Sequence, residues 1–86
     1  MSYDKNHHRD YRQSLVRQKI WYSMQIKKVA ESKNYSAAEL SIISGLSEEY
    51  LHNIWHADIL PSKSALQSLA IALEVPLAIF ELPADF

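Results

Sequence analysis

His52 and His56 stand four residues apart, the spacing that sets two imidazoles on one face of a helix, where such a pair can clamp a metal. No third ligand of suitable type is fixed near them, so they read as exposed, titrating histidines and not as a metal site. His7 and His8 near the start carry no site by themselves. Glu48 and Glu49 are the other pair whose types could do chemistry, but adjacent residues on a helix point in different directions and make a poor acid and base. There is no cysteine, no glycine-rich phosphate loop, and no serine, histidine and aspartate arrangement that short helices would obviously assemble. The chain reads as a binding protein with no cofactor, not an enzyme.

Charge says more about binding than the side chains just named. The net charge of −1 hides a segregation. Residues 1–34 hold Lys5, Arg9, Arg12, Arg17, Lys19, Lys27, Lys28 and Lys33 against three acids, a balance of +5. Residues 35–86 hold Lys63 alone against seven acids, a balance of −6. Such halves attract each other or attract different partners. The basic arm has two readings: it lies along phosphates or enters a minor groove, or it solvates a helix and docks on the acidic half of a second subunit.

Eighty-six residues support one domain with one core, and 48% hydrophobic against 22% charged residues is an ordinary globular balance. Only about the first eight residues read as loose. The absence of cysteine suits a reducing compartment, and no apolar run approaches a membrane span, so the expectation is a cytoplasmic protein without a membrane partner.

The elements that must position these residues are helical. Tyr11, Leu15, Tyr22, Ile26 and Val29 form one apolar stripe in a segment free of proline and glycine. Val16, Ile20, Trp21 and Met24 lie on the other side of the same wheel, so the segment either breaks in two or offers its second face to a partner. Asn34 suits the left-handed residue that ends a helix. Ser36 and Glu39 form a capping box for a helix that buries Leu40 with Ser41, has Ile43 as a further candidate for the core, and runs to Ser44. Gly45, the sole glycine, turns the chain. Ser47 caps the next helix, with Glu48 and Glu49 in its first turn and Tyr50, Leu51 and Ile54 inward. After a loop closed by Pro61, Ser62 caps a helix with Ala65, Leu66, Leu69, Ala70 and Leu73 as its stripe. Pro76 opens a short fifth helix, Leu77 to Leu82, and Pro83 stops it.

From about Tyr22 to Glu81 this pattern resembles the lambda-repressor-like helix-turn-helix domains, the Cro-type or XRE family of regulators. The resemblance rests on Ile26 to Val29, Tyr35-Ser36, Glu39-Leu40, Gly45-Leu46-Ser47, Tyr50-Leu51, Ile54, Pro61-Ser62, Leu66, Leu69-Ala70, Ala72-Leu73, Val75 and Leu77. It implies an all-α, five-helix domain over 20–82, a basic N-terminal arm or helical extension over 1–19, and a tail over 83–86. It also implies that the helix from Ser47 enters the major groove of double-stranded DNA. Glu48, Glu49 and Asn53 then face the bases, with Ser36, Ser47, His52 and His56 beside them and Arg9 and Arg12 on the arm. Asn53 suits adenine, whereas the glutamates accept only from cytosine N4 and otherwise repel phosphate.

Several positions depart from the family pattern. Ala37 stands where a phosphate-gripping glutamine is common, and the loop after the recognition helix is His56, Ala57, Asp58, Ile59 and Leu60 instead of Asn-Gly with basic residues. Many relatives pair an arginine with a glutamate at the positions of Ala30 and Trp55. Both partners are replaced together here, so Trp55 packing over Ala30 would keep the fold without stranding a charge. Val16, Ile20, Trp21, Met24, Ile59, Leu60 and Ile79 are apolar residues the inferred fold does not obviously bury. All but Ile79 read as an interface, and packing of a folded-back N-terminal segment is the other reading of Val16, Ile20, Trp21 and Met24. Two functions follow: a dimeric DNA-binding transcription regulator, or the same fold repurposed to bind a protein through Trp55, Ile59, Leu60 and the acids.

Overall fold

The computed structural model describes residues 2–84 and 86, with side chains from Ser14 onward apart from residue 85. It is all-α: α1 (Ser2–Ser32), α2 (Ala37–Ser44), α3 (Glu48–Trp55) and α4 (Lys63–Leu73) are followed by a 3₁₀ turn over Leu77–Phe80. The expected fifth helix is therefore one tight turn. Pro76 starts it in extended backbone at φ −63° and ψ 145°, and Glu81 is extended again. Too few residues lie between Pro76 and Pro83 to close successive α-helical hydrogen bonds.

The first segment does not break. With neither proline nor glycine before Asn34, α1 runs from Ser2 through residues read as loose and through residues 2–19 of the expected extension. Thirty-one residues at about 1.5 Å each give about 46 Å, close to the molecule's longest extent of 49 Å. The other two extents, 25 and 20 Å, are those of the small bundle at the helix's C-terminal end. Asn34 ends α1 at φ 63°, and Tyr35 N donates to Ala30 O at 2.9 Å.

Ile26 and Ala30 of α1, Leu40 of α2, Leu51 and Ile54 of α3, Leu66, Leu69, Ala70 and Leu73 of α4, and Phe80 form one buried cluster. Tyr22, Val29 and Trp55 pack against it from its margin. Burial pushes the Tyr22 phenol above its ordinary value of 10.0. Tyr22 packing thus contributes stability that is intact below that value and is lost as pH rises through the raised one. In α2 only Leu40 is buried; Ile43, the further candidate for the core, is exposed because eight residues turn just one side chain fully onto the core.

Three polar contacts lock the helices in register. Ser23 is buried, and its hydroxyl donates to the Trp55 carbonyl at 2.8 Å, tying α1 to the end of α3. Gln25 Nε2 donates to Ile79 O at 3.0 Å and holds the 3₁₀ turn on α1. Ser62 N donates to the Tyr50 hydroxyl at 3.0 Å, joining α3 to the start of α4. Among the described residues no buried side-chain polar atom lacks a partner.

Left-handed backbone closes four segments: Asn34, Gly45, Ala57 and Glu74 have φ of 63°, 78°, 59° and 57°. A Cβ at Gly45 would meet nothing within 4 Å, so the glycine is required by its dihedral alone. Gly45→Ala should then cost about 1 kcal/mol, whereas Glu74→Gly should stabilise by about 0.5 kcal/mol. Urea midpoints for the two variants should move in opposite directions from the parent.

Candidate nucleic-acid interface

The exposed part of α3 is presented by a turn built almost wholly from serine. Ser36 accepts from Glu39 N at 3.2 Å while the Glu39 carboxylate accepts from Ser36 N at 3.1 Å, so both partners of the capping box are satisfied. At the other end of α2, Gly45 N donates to Ser41 O at 3.0 Å. The Ser41 hydroxyl donates to Leu46 O at 2.6 Å, and Leu46 N donates to Ser44 Oγ at 3.2 Å. Ser47 then accepts from Tyr50 N at 3.0 Å and starts α3. The Ser41 and Ser44 bonds fix the entry direction of α3. In the sequence Ser41 gives no sign of this, because its acceptor is a carbonyl exposed only once the chain has turned.

Leu51 and Ile54 point into the core, with Tyr50 and Trp55 half-buried at its edge. The opposite face carries Glu48, Glu49, His52 and His56, all exposed, and the half-buried Asn53. Their order follows from helix geometry, since residues three and four apart share a face. His52 Nε2 lies 3.4 Å from Glu48 Oε2, the one ion-pair geometry among the described residues. His56 Nδ1 donates to the His52 carbonyl at 2.8 Å, which holds its ring against the last turn of α3 and leaves Nε2 toward solvent. The two rings lie 6.4 Å apart. No group of three metal-ligating side chains converges among the described residues.

This face therefore offers an amide, two imidazoles and two carboxylates, and no lysine or arginine. The cations stand on α1 instead: Arg17, Lys28 and Lys33 are exposed, and Lys19 and Lys27 are half-exposed. None of them meets a carboxylate within ion-pair distance among the described residues. Arg9 and Arg12, expected on the arm, have side chains outside the described residues, as do Lys5, His7 and His8.

The apolar interface residues divide. Val16, Ile20 and Met24 are exposed at 54%, 45% and 64%. Trp21 is half-covered by the chain's own aromatics, edge-on to Tyr22 at 5.2 Å and to Phe86 at 6.4 Å. The Arg17 guanidinium lies 5.0 Å from the centre of the Phe86 ring. In the other group Trp55 and Ile59 pack against the core, and Leu60 is the member left exposed. Ala30 is fully buried in the cluster that Trp55 borders. Ile42 and Ile71, exposed at 82% and 78%, lie off the apolar stripes of α2 and α4 and are not among the surface residues expected from the sequence. No helix among the described residues is long and apolar enough to cross a membrane. No protein-family model, no curated protein and no solved structure matches this chain.

Proposed function

We propose that this chain is a Cro-type (XRE family) helix-turn-helix transcription regulator, a cytoplasmic homodimer that binds double-stranded DNA through α3 with the cations of α1 beside it. The observation that supports this reading is the pair of eight-residue, serine-capped helices joined at Gly45, with Leu51 and Ile54 of the second turned inward and Glu48, Glu49, His52, Asn53 and His56 outward. A short helix held on the surface by its predecessor is how this motif offers side chains to a major groove. In this reading Asn53 reads adenine, and Arg9, Arg12 and Lys28 contact phosphate. Asn53→Ala should relax sequence preference at one base pair by about 1 to 3 kcal/mol. Lys28→Ala should weaken all sequences alike and lower the salt dependence. Competition titrations with operator variants separate the two effects, and an Asn53 variant with unaltered preference would remove its reading role.

A second function is favoured by one feature, the acidic α3 face. Two glutamates at the helix start repel phosphate, and with Leu60 exposed in the following loop they suit a protein partner instead. That reading expects no retention on DNA and a defined partner whose capture Leu60→Asp abolishes.

A further inference from the structure

We propose that two copies of this chain pair antiparallel through α1 about Ile20, each laying Val16, Ile20 and Met24 along a groove of the other. This rests on the dimeric reading above and specifies how the dimer is made. Val16, Ile20 and Met24 fall at successive four-residue steps, which makes them one ridge along α1, and all three are exposed. Beside the ridge runs an open groove of about 230 Å³ lined by Arg17, Ile20, Trp21, Met24 and Phe86. Its second wall is Phe86, which meets Trp21 and Arg17, while nearer the bundle Ile79 is pinned to Gln25 of α1. A ridge next to a groove on the same face is self-complementary under a two-fold axis.

Charge favours a second copy over DNA on this face. Phosphate gains nothing from valine, isoleucine and methionine, and their burial needs an apolar surface. In the antiparallel arrangement Val16 of one copy faces Met24 of the other, so the segment anchored at Gln25 flanks the Leu15 to Lys19 turn of its neighbour. That segment carries the exposed Glu81, and the turn it meets carries Arg17 and Lys19, cations that no carboxylate of their own chain pairs among the described residues. The basic half of one molecule thus meets the acidic half of the other. Pairing also gives the long helix a packed neighbour beyond the bundle, which a helix in water needs for most of its stability.

The chain lacks cysteine, so single cysteines report the geometry directly. Under mild oxidation Ile20→Cys should form a disulfide-linked dimer, because residues on the two-fold axis bring their Cα atoms within about 7 Å. Val16→Cys mixed with Met24→Cys should form the mixed dimer in preference to either self-dimer, and the exposed control Lys63→Cys should form little. Sedimentation equilibrium should show a dimer of the 9.9 kDa chain. Ile20→Asp should raise its dissociation constant by about tenfold or more with the helical circular dichroism intact. A Val16→Cys self-dimer that outcompetes the mixed one, or a dimer indifferent to Ile20→Asp, overturns the pairing and leaves the dimer standing. A chain monomeric at every concentration overturns both. DNA titrations read the regulator function separately, so loss of DNA binding with cross-linking intact counts against that function and for the pairing.

Discussion

Ala30→Arg should lower the stability of the chain by about 3 to 5 kcal/mol. The loss in the double variant with Trp55→Glu should be about 1 to 3 kcal/mol smaller than the sum of the two single losses. Ala30 is completely enclosed at the base of α1, with Ile26, Leu51 and Ile54 in the same cluster. A guanidinium there has no carboxylate partner, and an uncompensated buried charge costs about 3 to 5 kcal/mol. That is a large part of the 5 to 15 kcal/mol that about holds a small domain together. A glutamate at the position of Trp55 would restore the arrangement that the helix-turn-helix resemblance assigns to these two places. Its coupling to the arginine should be about 1 to 3 kcal/mol, so the double variant stays below the parent but loses less than the two single variants together. Urea denaturation of the four chains of this cycle gives the coupling directly. An Ala30→Arg chain as stable as the parent, or no recovery in the double variant, would show that the two positions do not replace an ion pair.

Phe80→Ala should be the most damaging truncation in the C-terminal part. Phe80 is 1% exposed and is the largest of the fully buried side chains, and its turn packs on both α4 and α1. Removing a buried phenyl ring costs about 3 to 5 kcal/mol, from lost burial and from the cavity left behind. The proline boundaries that keep this turn short also limit how far it can collapse into the space. Each kcal/mol shifts the melting temperature of a domain this size by about 4 to 8 °C, so a thermal melt should drop by well over 10 °C. Ile79→Ala, one residue earlier and partly exposed, should change little. Equal effects from the two would mean that Phe80 does not close the core.

Much of this architecture is legible in the residues because short-range chemistry sets it. Ser36, Ser47 and Ser62 each cap the helix that follows, since a hydroxyl at that place satisfies a backbone N–H whatever the rest of the fold does. The α4 stripe is legible for the same reason, as all five of its apolar positions are buried. Long-range chemistry is not. Ser23 is a polar residue inside a helical stripe until the Trp55 carbonyl, 32 positions later, arrives to accept from it. Phe80 sits in a stretch too short to show a period. The undivided length of α1 was equally open, because its two apolar faces fit either a break or a partner.

At the candidate interface the outward set Glu48, Glu49, His52, Asn53 and His56 follows from the inward Leu51 and Ile54. What that set binds does not follow. Its residue types suit two partners of opposite charge, and the cations that would decide belong to another helix. The hydroxyl of Ser41, which sets the direction of α3, is hidden in the sequence for the same physical reason as Ser23: its acceptor comes from a turn.

The most direct measurement for the regulator reading is a fluorescence anisotropy titration of the full chain against pooled genomic DNA fragments at low ionic strength, repeated as salt is raised. Contacts from Lys28 and its neighbouring cations release counterions, so affinity should fall along a line in log salt with a slope of about −0.9 per phosphate contacted. Saturable binding at low salt with that decline is the predicted result. No retention at low salt, or binding that ignores salt, would contradict it.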